Sequence, residues 1–334
     1  MVTIRDIAKK AEVSVATVSR IINNKGAASA ETIARVNKII EEMNYKPNSI
    51  AKSLSKKKSN LIALLIPTLN NPFFPELVRE IEMAANQMGF QVYLCNSDDN
   101  REKVEYYLEA MADNYVAGAI INSLKVTAKD LHTLEKSGIP IITIDRASFE
   151  HPYSSISVSH RIGAAKAAAH LLHDSKHQNI VFISGPKEEK SSLDRLNGLN
   201  DVLDKYEKPL NLNVVYGDFE MDSGYQAIKS LLERGQKVDC IFSSNDAMAF
   251  GAMRACKENG LRIPEDLRII GYDNTVFSAY SSPLLSTVDQ RKDEIGQIAI
   301  KELFRLINSK EDAKETERKQ FFLEPELIVR QSTL

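Results

Sequence analysis

The chain has 334 residues, of which 43% are hydrophobic and 26% are charged. This balance excludes an intrinsically disordered chain and predicts a globular protein of two or three domains. The N-terminal segment MVTIRDIAKK has no apolar signal-peptide core, and apolar runs such as LIALLIP are far shorter than the roughly 20 residues of a membrane span. We therefore expect a cytoplasmic protein with no membrane partner.

Charge is distributed unevenly along the chain. Residues 1–58 hold 12 Lys and Arg against 5 acidic residues, a balance of +7 that leaves −9 for the remainder. A basic module attached to an acidic body is the electrostatic pattern of a nucleic-acid-binding segment. A solvated basic surface is the alternative, unless the local pattern places these charges on a DNA-binding unit.

Three short helices are predicted at the N-terminus. Thr3, with an acidic residue three positions on, has the spacing of a capping box that opens the first helix. Ser14 is placed to cap a second helix through Ile22, and Ser29 to cap a third, which Pro47 is expected to close. Three helices with a tight turn between the first two are typical of a helix-turn-helix unit.

From residue 60 the pattern changes to short apolar runs separated by helix-length amphipathic segments. The runs are LIALLIP, FQVYLC, AGAIIN, PIITID, NIVFIS, CIFSS and RIIGYD. This alternation predicts an α/β core of parallel βαβ units, whose binding sites lie at the carboxyl ends of the strands. Cys95, Cys240 and Cys256 lie within or beside such runs and lack CxxC pairs, which favours buried thiols over a disulfide or metal role.

The segment T-I-R-D-I-A-K-K-A-E-V-S-V-A-T-V-S-R-I-I-N at residues 3–23 resembles the headpiece of the LacI family of repressors. The resemblance implies that Val15 and Ala16 contact bases and that Arg20 reaches them one turn further along. Arg can bond guanine bidentately, whereas Val15 and Ala16 offer only apolar contact, for example to a thymine methyl. Glu12 departs from the family pattern, which often has Gly in the turn, and a positive φ there would be strained.

The segment N-S-I-A-K-S-L that begins at Asn48 resembles the hinge helix of the same family, over about residues 48–55. So short a helix is expected to form only on DNA or against a partner hinge. The resemblance makes Leu54 a wedge in the minor groove, with Ala51 allowing two hinges to pack closely, whereas Lys52 stands where Arg is frequent. The implied DNA-binding set is Thr3, Ser14, Val15, Ala16, Thr17, Ser19, Arg20, Asn23, Asn48, Ala51, Lys52 and Leu54.

The core resembles periplasmic sugar-binding proteins, and among them the ribose-binding branch. Its motifs are L-N-N-P-F-F, I-T-I-D-R, L-D-R-L-N-G, S-S-N-D and I-I-G-Y-D. In that family adjacent rings such as Phe73 and Phe74 sandwich the sugar, and charged pairs such as Asp145 and Arg146 suit vicinal hydroxyls. Tyr272 occupies a position where ribose binders carry Phe. The implied ligand-binding set is Asn71, Phe73, Phe74, Asn122, Asp145, Arg146, Arg195, Phe219, Asn245, Asp273 and Gln290.

These resemblances imply a sugar-responsive repressor with no cofactor. The predicted domains are a headpiece with hinge at 1–58 and a core at 60–334, divided into subdomains 60–158 with 290–318 and 159–289 with 319–331. We expect a homodimer on pseudo-palindromic operator DNA, whose affinity a small sugar, D-ribose, lowers. Tighter DNA binding with sugar would instead indicate a co-repressed member.

The headpiece and the lack of a signal-peptide pattern argue against a free-standing sugar-transport receptor, and three further alternatives remain to be weighed. The absence of a P-loop, GxSxG or HExxH motif disfavours an enzyme. His170, His173 and His177 admit a metal site, but two fall on a predicted amphipathic helix and one in the loop after it, which favours surface or packing histidines. The third alternative is a catabolite-control-type regulator activated by a phosphorylated carrier protein. We rank it second because such members would not be expected to hold the full sugar-contact set.

Overall fold

The computed structural model describes residues 2–22, 28–45, 59–145, 152–173, 178–206, 210–309 and 317–334. The chain forms two compact units, Met1–Ser59 and Asn60–Leu334. We refer to them as the headpiece and the core, and each is described by itself.

The headpiece contains three helices, α1 Ile4–Lys10, α2 Val15–Ile22 and α3 Ala30–Glu42. The predicted caps are present: Thr3 forms a reciprocal capping box with Asp6, and the Ser29 hydroxyl accepts the backbone N–H of Thr32. An apolar core of alanine, valine and isoleucine side chains joins the three helices. These contacts confirm a three-helix, helix-turn-helix headpiece.

Two of these helices end on a residue with positive φ. After α1, Glu12 adopts φ 52°, and the N–H of Val13 reaches back to Ala8 O at 3.1 Å. After α3, Asn44 adopts φ 45°, and the N–H of Tyr45 reaches Ile40 O at 3.0 Å. Both are Schellman closures, in which the left-handed residue turns the chain so that orphan carbonyls are bonded. The third helix therefore ends earlier than Pro47 predicts.

The core begins with a six-stranded sheet. Its strands are β1 Leu61–Ile66, β2 Gln91–Asn96, β3 Gly118–Ile121, β4 Ile141–Ile144, β5 Ser154–Val158 and β11 Gln320–Leu323. All pairings are parallel, in the order β11-β5-β4-β3-β1-β2. The helices packed on it are α4 Phe73–Gln87, α5 Arg101–Asp113, α6 Ala128–Lys136 and α11 Lys292–Asn308. We call this the first subdomain.

The second subdomain is built on a four-stranded parallel sheet. Its strands are β6 Asn179–Ser184, β7 Asn211–Tyr216, β8 Cys240–Ser243 and β9 Arg268–Ile270, in the order β7-β6-β8-β9. The helices on its two faces are α7 His160–Leu171, α8 Lys190–Leu203, α9 Met221–Glu233 and α10 Asp246–Glu258. A short antiparallel pair, β10 Thr287–Asp289 and β12 Glu326–Ile328, packs beside α7.

Both sheets are covered by helices on two faces, which explains the continuous apolar runs. In β1, Ile62, Leu64 and Ile66 pack in the cluster that contains α4 and α11. The alternate residues, Ala63 and Leu65, pack in the cluster that contains α5 and α6. A strand that is buried on both faces must be apolar at every position.

The chain crosses between the subdomains after β5, after β10 and after β11, and the third crossing differs from the prediction. Strand β11 pairs with β5, and its Leu323 is buried in the core of the first subdomain. The assignment of 319–331 to the second subdomain is therefore wrong for 319–323. Only the segment that follows, which contains β12, packs against the second subdomain. The reason is that the backbone of this segment pairs with β5, while Phe321 and Leu323 pack on the core of the first subdomain.

The three cysteines are buried and carry no disulfide, as predicted. Burial raises the pKa of the Cys95 and Cys256 thiols to about 12. These thiols therefore stay protonated and act as packing groups. Among the described segments, we find no helix long and apolar enough to cross a membrane.

Candidate functional site

Helix α2 of the headpiece exposes the residues predicted to contact bases. Val18 is fully buried, whereas Val15, Ala16 and Arg20 are exposed. An exposed valine, 42% accessible, at the first position of a short helix leaves apolar surface uncovered. This face therefore has the chemistry expected of a recognition helix, an apolar start followed by a guanidinium one turn later.

The hydroxyl groups of the predicted DNA-binding set also hold the headpiece together. Ser14 Oγ accepts the backbone N–H of Thr17 at 3.0 Å and lies 2.9 Å from Thr17 Oγ1. The Thr3 hydroxyl donates to Asp6 Oδ2 at 2.7 Å. Ser14 and Thr3 remain exposed, whereas Thr17 and Ser19 are half-buried. Each helix start thus presents hydroxyl and backbone groups whose orientation is already set.

Several predicted residues fall outside the described ranges. They are Asn23, Asn48, Ala51, Lys52 and Leu54 of the headpiece and hinge, and Arg146 of the core. The proposed hinge helix at 48–55 and His177 lie outside them as well.

The core contains a cavity of about 140 Å³ between the carboxyl ends of its two sheets. Every predicted ligand-binding residue that the structure describes lines this cavity. The ten residues are Asn71, Phe73, Phe74, Asn122, Asp145, Arg195, Phe219, Asn245, Asp273 and Gln290. Residues from strand ends far apart in sequence therefore meet at one place, as the parallel-sheet rule predicts.

The aromatic wall lies at the start of α4. Asn71 Oδ1 accepts the N–H of Phe73 at 3.0 Å, which fixes the turn that begins the helix. The rings of Phe73 and Phe74 are 5.2 Å apart and meet at 84°. Because the rings are in edge contact, this pair does not form the two sides of a sandwich. A second stacking surface has to come from elsewhere, and Phe219 of the other subdomain lines the same cavity.

Two carboxyl groups lie on opposite sides of the cavity. Asp145 follows β4, and one of its oxygens accepts the N–H of Val158 at 2.7 Å. Burial raises the pKa of Asp145 to about 7, although the Val158 N–H and the Arg195 guanidinium oppose the rise. Asp273 follows β9 and accepts from Gln290 Nε2 at 2.5 Å, and burial raises its pKa as well. Both groups are acceptors whose charge depends on their surroundings.

Three residues that line the cavity have a strained backbone conformation. Asp145, Phe219 and Asp273 have φ of 45°, 70° and 118°. For a residue other than glycine, such angles cost on the order of 1–3 kcal/mol and are retained where the surrounding structure enforces them. Three of them around one cavity indicate that the side-chain directions there are imposed by the fold.

Arg195 and Asn245 supply the polar wall of the second subdomain. Arg195 on α8 donates from Nη1 to Ser244 O at 2.5 Å, and its guanidinium lies 4.0 Å from the Tyr272 ring centroid. Asn245 caps α10 by accepting the N–H of Met248 at 2.9 Å, and it donates to Phe219 O at 2.8 Å. The second subdomain thus holds both side chains rigidly.

Two buried polar atoms at the cavity have no hydrogen-bond partner in the described part of the chain. They are Asn122 Oδ1 and Arg195 Nε. The two residues are only 2% and 5% exposed. An unpaired buried acceptor or donor costs about 1–3 kcal/mol, so both atoms favour a ligand that supplies hydrogen bonds.

Sequence reasoning missed nine lining residues. They are Thr68, Asp99, Ile144, His160, Pro186, Glu189, Ser191, Asp218 and Glu220. Several follow strand ends, which is a usable signal, but polar residues are common in every such turn. Two carboxylates of this set, Asp218 and Glu220, lie on one loop. Burial raises the pKa of Glu220, and the Asn70 side chain of the first subdomain opposes that rise.

Tyr272 and the histidine motif are packing features. Tyr272 is fully buried, and a Cβ at Gly163 would lie 2.5 Å from its hydroxyl oxygen. The added hydroxyl therefore points into the contact with α7 and does not reshape the cavity wall. His170 Nε2 lies 2.8 Å from Thr333 Oγ1, and His173 Nδ1 donates to the carbonyl of His170 just beyond the helix. Helix α7 ends at Leu171, so only the first of the two histidines lies on it.

Comparison with known proteins covers both units. Residues 3–48 match the bacterial regulatory proteins of the lacI family, and residues 169–333 match the periplasmic binding protein-like domain. The ribose operon repressor of Halalkalibacterium halodurans is 38% identical over 100% of this chain and 97% of its own. Catabolite control protein A of Priestia megaterium is 35% identical over 92% of this chain and 93% of its own.

Two solved structures extend the comparison. A lac repressor dimer bound to operator and the anti-inducer ONPF has a TM-score of 0.86 and 30% identity, covering 100% of this chain and 99% of that one. A LacI family regulator from Enterococcus faecium with bound ribose has a TM-score of 0.74 and 32% identity, covering 82% of this chain and 98% of that one. With its helix-turn-helix headpiece and its sugar-binding core, the chain belongs to the LacI family of DNA-binding transcriptional repressors.

Proposed function

We propose that the chain represses transcription as a homodimer on pseudo-palindromic operator DNA, and that D-ribose lowers its operator affinity. The observation that carries the effector assignment is the pair of unpartnered atoms at the cavity. A sugar hydroxyl can donate to Asn122 Oδ1 and accept from Arg195 Nε, since a hydroxyl has one donor and two acceptor sites. Apolar C–H faces of the sugar pack on the phenylalanine rings.

The size of the cavity favours a monosaccharide. Pockets for drug-sized ligands occupy roughly 300–1,000 Å³, whereas this one encloses about 140 Å³. A disaccharide would need a wider cleft. A pentose is among the smallest cyclic sugars and is therefore the class that a cavity of this size favours.

The charge of the cavity favours a sugar without phosphate. Among the lining residues that the structure describes, the side chain with a permanent positive charge is Arg195. The carboxyl groups are Asp99, Asp145, Glu189, Asp218, Glu220 and Asp273. A phosphate dianion would be repelled by these carboxylates. The hydroxyl groups of a neutral polyol can instead donate hydrogen bonds to carboxylates of this kind.

The relatives support ribose and a dimer. The Enterococcus faecium structure contains ribose, and the Halalkalibacterium halodurans relative is named a ribose operon repressor. The lac repressor neighbour is a dimer on operator. On the core of this chain, Val276, Phe277 and Tyr280 are 53%, 54% and 81% exposed, and an apolar patch of this kind is often covered by a partner.

The coupling between sugar and DNA follows from the position of the cavity. Its walls come from both subdomains, so a ligand that bonds both walls stabilises one relative arrangement of them. If the arrangement that binds ribose differs from the one that binds DNA, ribose lowers operator affinity. The factor equals the ratio of the ribose affinities of the free and the DNA-bound protein.

Calorimetry tests the effector and anisotropy tests the response. Ribose titrated into the full-length chain should release or absorb heat with 1:1 stoichiometry, and ribose should lower the affinity for an operator duplex measured by fluorescence anisotropy. No heat at millimolar ribose would refute the ribose assignment. Tighter operator binding with ribose would show that the sugar is a co-repressor.

A catabolite-control-type regulator activated by a phosphorylated carrier protein is the second candidate. The 35% identity to catabolite control protein A supports it. The carrier would act from outside the cavity, so a pull-down with phosphorylated carrier, with and without ribose, distinguishes the two inputs. We further propose that the chain is a regulator and not an enzyme, which assays for sugar turnover test directly.

A further inference from the structure

His160 is a buried imidazole at the junction of the two subdomains. It begins α7, directly after the crossing from β5, and it is 6% exposed. It lines the cavity together with Arg195 and Asp145. A histidine at this place contacts groups from both subdomains.

The contacts of His160 determine which ring nitrogen carries the proton. Nδ1 lies 3.3 Å from Arg195 Nη2 and 3.4 Å from the Tyr272 hydroxyl oxygen. A guanidinium has only donors, so Nδ1 is the acceptor and the proton resides on Nε2. Nε2 faces Asp145, with 3.7 Å to the nearer carboxylate oxygen. Burial, together with Arg195 and Lys190, holds the pKa of His160 well below its usual value, so the ring is neutral.

Arg195 depends on this ring for one side of its support. Its Nη1 is bonded to Ser244 O, its face lies on the Tyr272 ring, and its Nη2 meets His160. These contacts direct the remaining nitrogen, Nε, which has no partner in the described part of the chain. Asp145 is held similarly, by the N–H of Val158 on one oxygen and by His160 near the other.

We propose that His160 is a positioning residue of the effector site, which holds Arg195 of the second subdomain and Asp145 of the first so that both face one ligand. The inference rests on the proposed function, because it concerns the same cavity. The imidazole accepts from the guanidinium and turns its Nε2 proton toward the carboxylate 3.7 Å away, so it contacts both walls before the sugar does. Losing it frees both side chains to adopt other rotamers, which weakens sugar binding without touching the headpiece.

The test compares His160→Leu with His160→Gln in the full-length chain. A glutamine amide can accept from Arg195 and turn its N–H toward Asp145, whereas leucine fills the space without either polar contact. We expect His160→Leu to raise the ribose Kd at least tenfold and His160→Gln to stay within about threefold of wild type. Tyr272→Phe, which keeps the ring under Arg195 and removes only the hydroxyl, is the matched control and should also stay within about threefold.

One further measurement separates positioning from general support of the fold. Operator affinity without ribose should stay within about twofold of wild type in all three variants. Equal ribose affinity in His160→Leu and wild type overturns the proposal, and so does a glutamine variant that loses as much affinity as leucine. If His160→Leu does not fold, His160→Asn replaces it, because its shorter amide cannot reach both partners and should lose tenfold.

Failure of the ribose assignment is distinguishable from failure of this inference. If the wild-type chain binds another monosaccharide from a panel of pentoses and hexoses, the ribose assignment fails, and the same criteria apply to that sugar. If the wild-type chain binds none of the panel, both proposals are overturned.

Discussion

Replacing Asn122 with leucine should stabilise the free protein and weaken sugar binding at the same time. Asn122 is 2% exposed, and its Oδ1 has no partner in the described part of the chain. Such an atom costs about 1–3 kcal/mol of desolvation that no hydrogen bond offsets. Leucine has a similar shape and removes this cost, so we expect the free energy of unfolding to rise by about 1 kcal/mol and the melting temperature by about 2–4 °C.

The ribose affinity of Asn122→Leu should fall for the same reason. A sugar hydroxyl that donates to Asn122 Oδ1 would lose its acceptor and be buried beside an apolar group. The loss is about 1–2 kcal/mol, which corresponds to a roughly five- to thirtyfold increase in Kd. Scanning calorimetry without sugar and ribose titration measure the two effects on one preparation.

Asn245 is the matched control, because it is equally buried but fully bonded. It is 1% exposed, accepts the N–H of Met248 and donates to Phe219 O. Asn245→Leu removes a helix cap and leaves a carbonyl unpaired, so we expect it to lower stability by about 2–3 kcal/mol. The reasoning is refuted if Asn122→Leu melts below wild type, or if it binds ribose as tightly as wild type does.

Three further predictions concern pH, DNA binding and packing. Burial raises the pKa of Asp145 to about 7, so the folded state binds more protons than the unfolded state between about pH 4 and 7. Stability should therefore decrease as pH rises through this window, while ribose affinity increases as the carboxylate acceptor forms. Asp145→Asn should make both profiles less steep, and the raised pKa of Asp273 accounts for the slope that remains. Arg20→Ala should weaken operator binding by about 1–3 kcal/mol in anisotropy titrations and leave the heat of ribose binding unchanged. Gly163→Ala should lower the melting temperature, because the new Cβ would lie 2.5 Å from the Tyr272 hydroxyl oxygen. The cost is about 1–3 kcal/mol, and Tyr272→Phe should recover part of it in the double variant.

Each of these three predictions would be contradicted by a specific result. A stability profile that rises from pH 4 to 7 in wild type but not in Asp145→Asn would reverse the assigned sign. Unchanged operator affinity in Arg20→Ala would remove that side chain from base contact. Additive effects in the Gly163 and Tyr272 double variant would show that the two groups do not meet.

Much of the headpiece was predictable because its signals are local. The spacing of Thr3 and Asp6, and of Ser29 and Thr32, specifies hydrogen bonds that form within one turn. Helix α3 ended early for a reason the pattern did not reveal. Asn44 closes it by adopting a left-handed conformation, before the restriction from Pro47 can act.

The cavity was predictable in outline because parallel strands end at one edge of a sheet. Asn122 and Asp145 directly follow β3 and β4, which are neighbours in the sheet. Their positions after these strands therefore predict that the two side chains lie close together. His160 also follows a strand end, two residues after β5, but that position alone does not predict its contacts. It begins a helix just after the chain has left the first sheet, and only the packing of α7 against α8 and β9 brings its ring to Arg195 and Tyr272.

The sequence by itself determined the two-unit plan, the helix-turn-helix, the α/β core and the chemistry gathered at the strand ends. Local capping and strand periodicity depend on residues near each other in the chain, so they can be read directly. Tertiary structure alone decided the late crossing after β11, the edge-to-face contact of Phe73 with Phe74 and the inward direction of the Tyr272 hydroxyl. The crossing and the direction of the Tyr272 hydroxyl depend on contacts between segments distant in sequence. The angle between the Phe73 and Phe74 rings depends on side-chain rotamers, and local sequence patterns do not show which rotamers the surrounding packing selects.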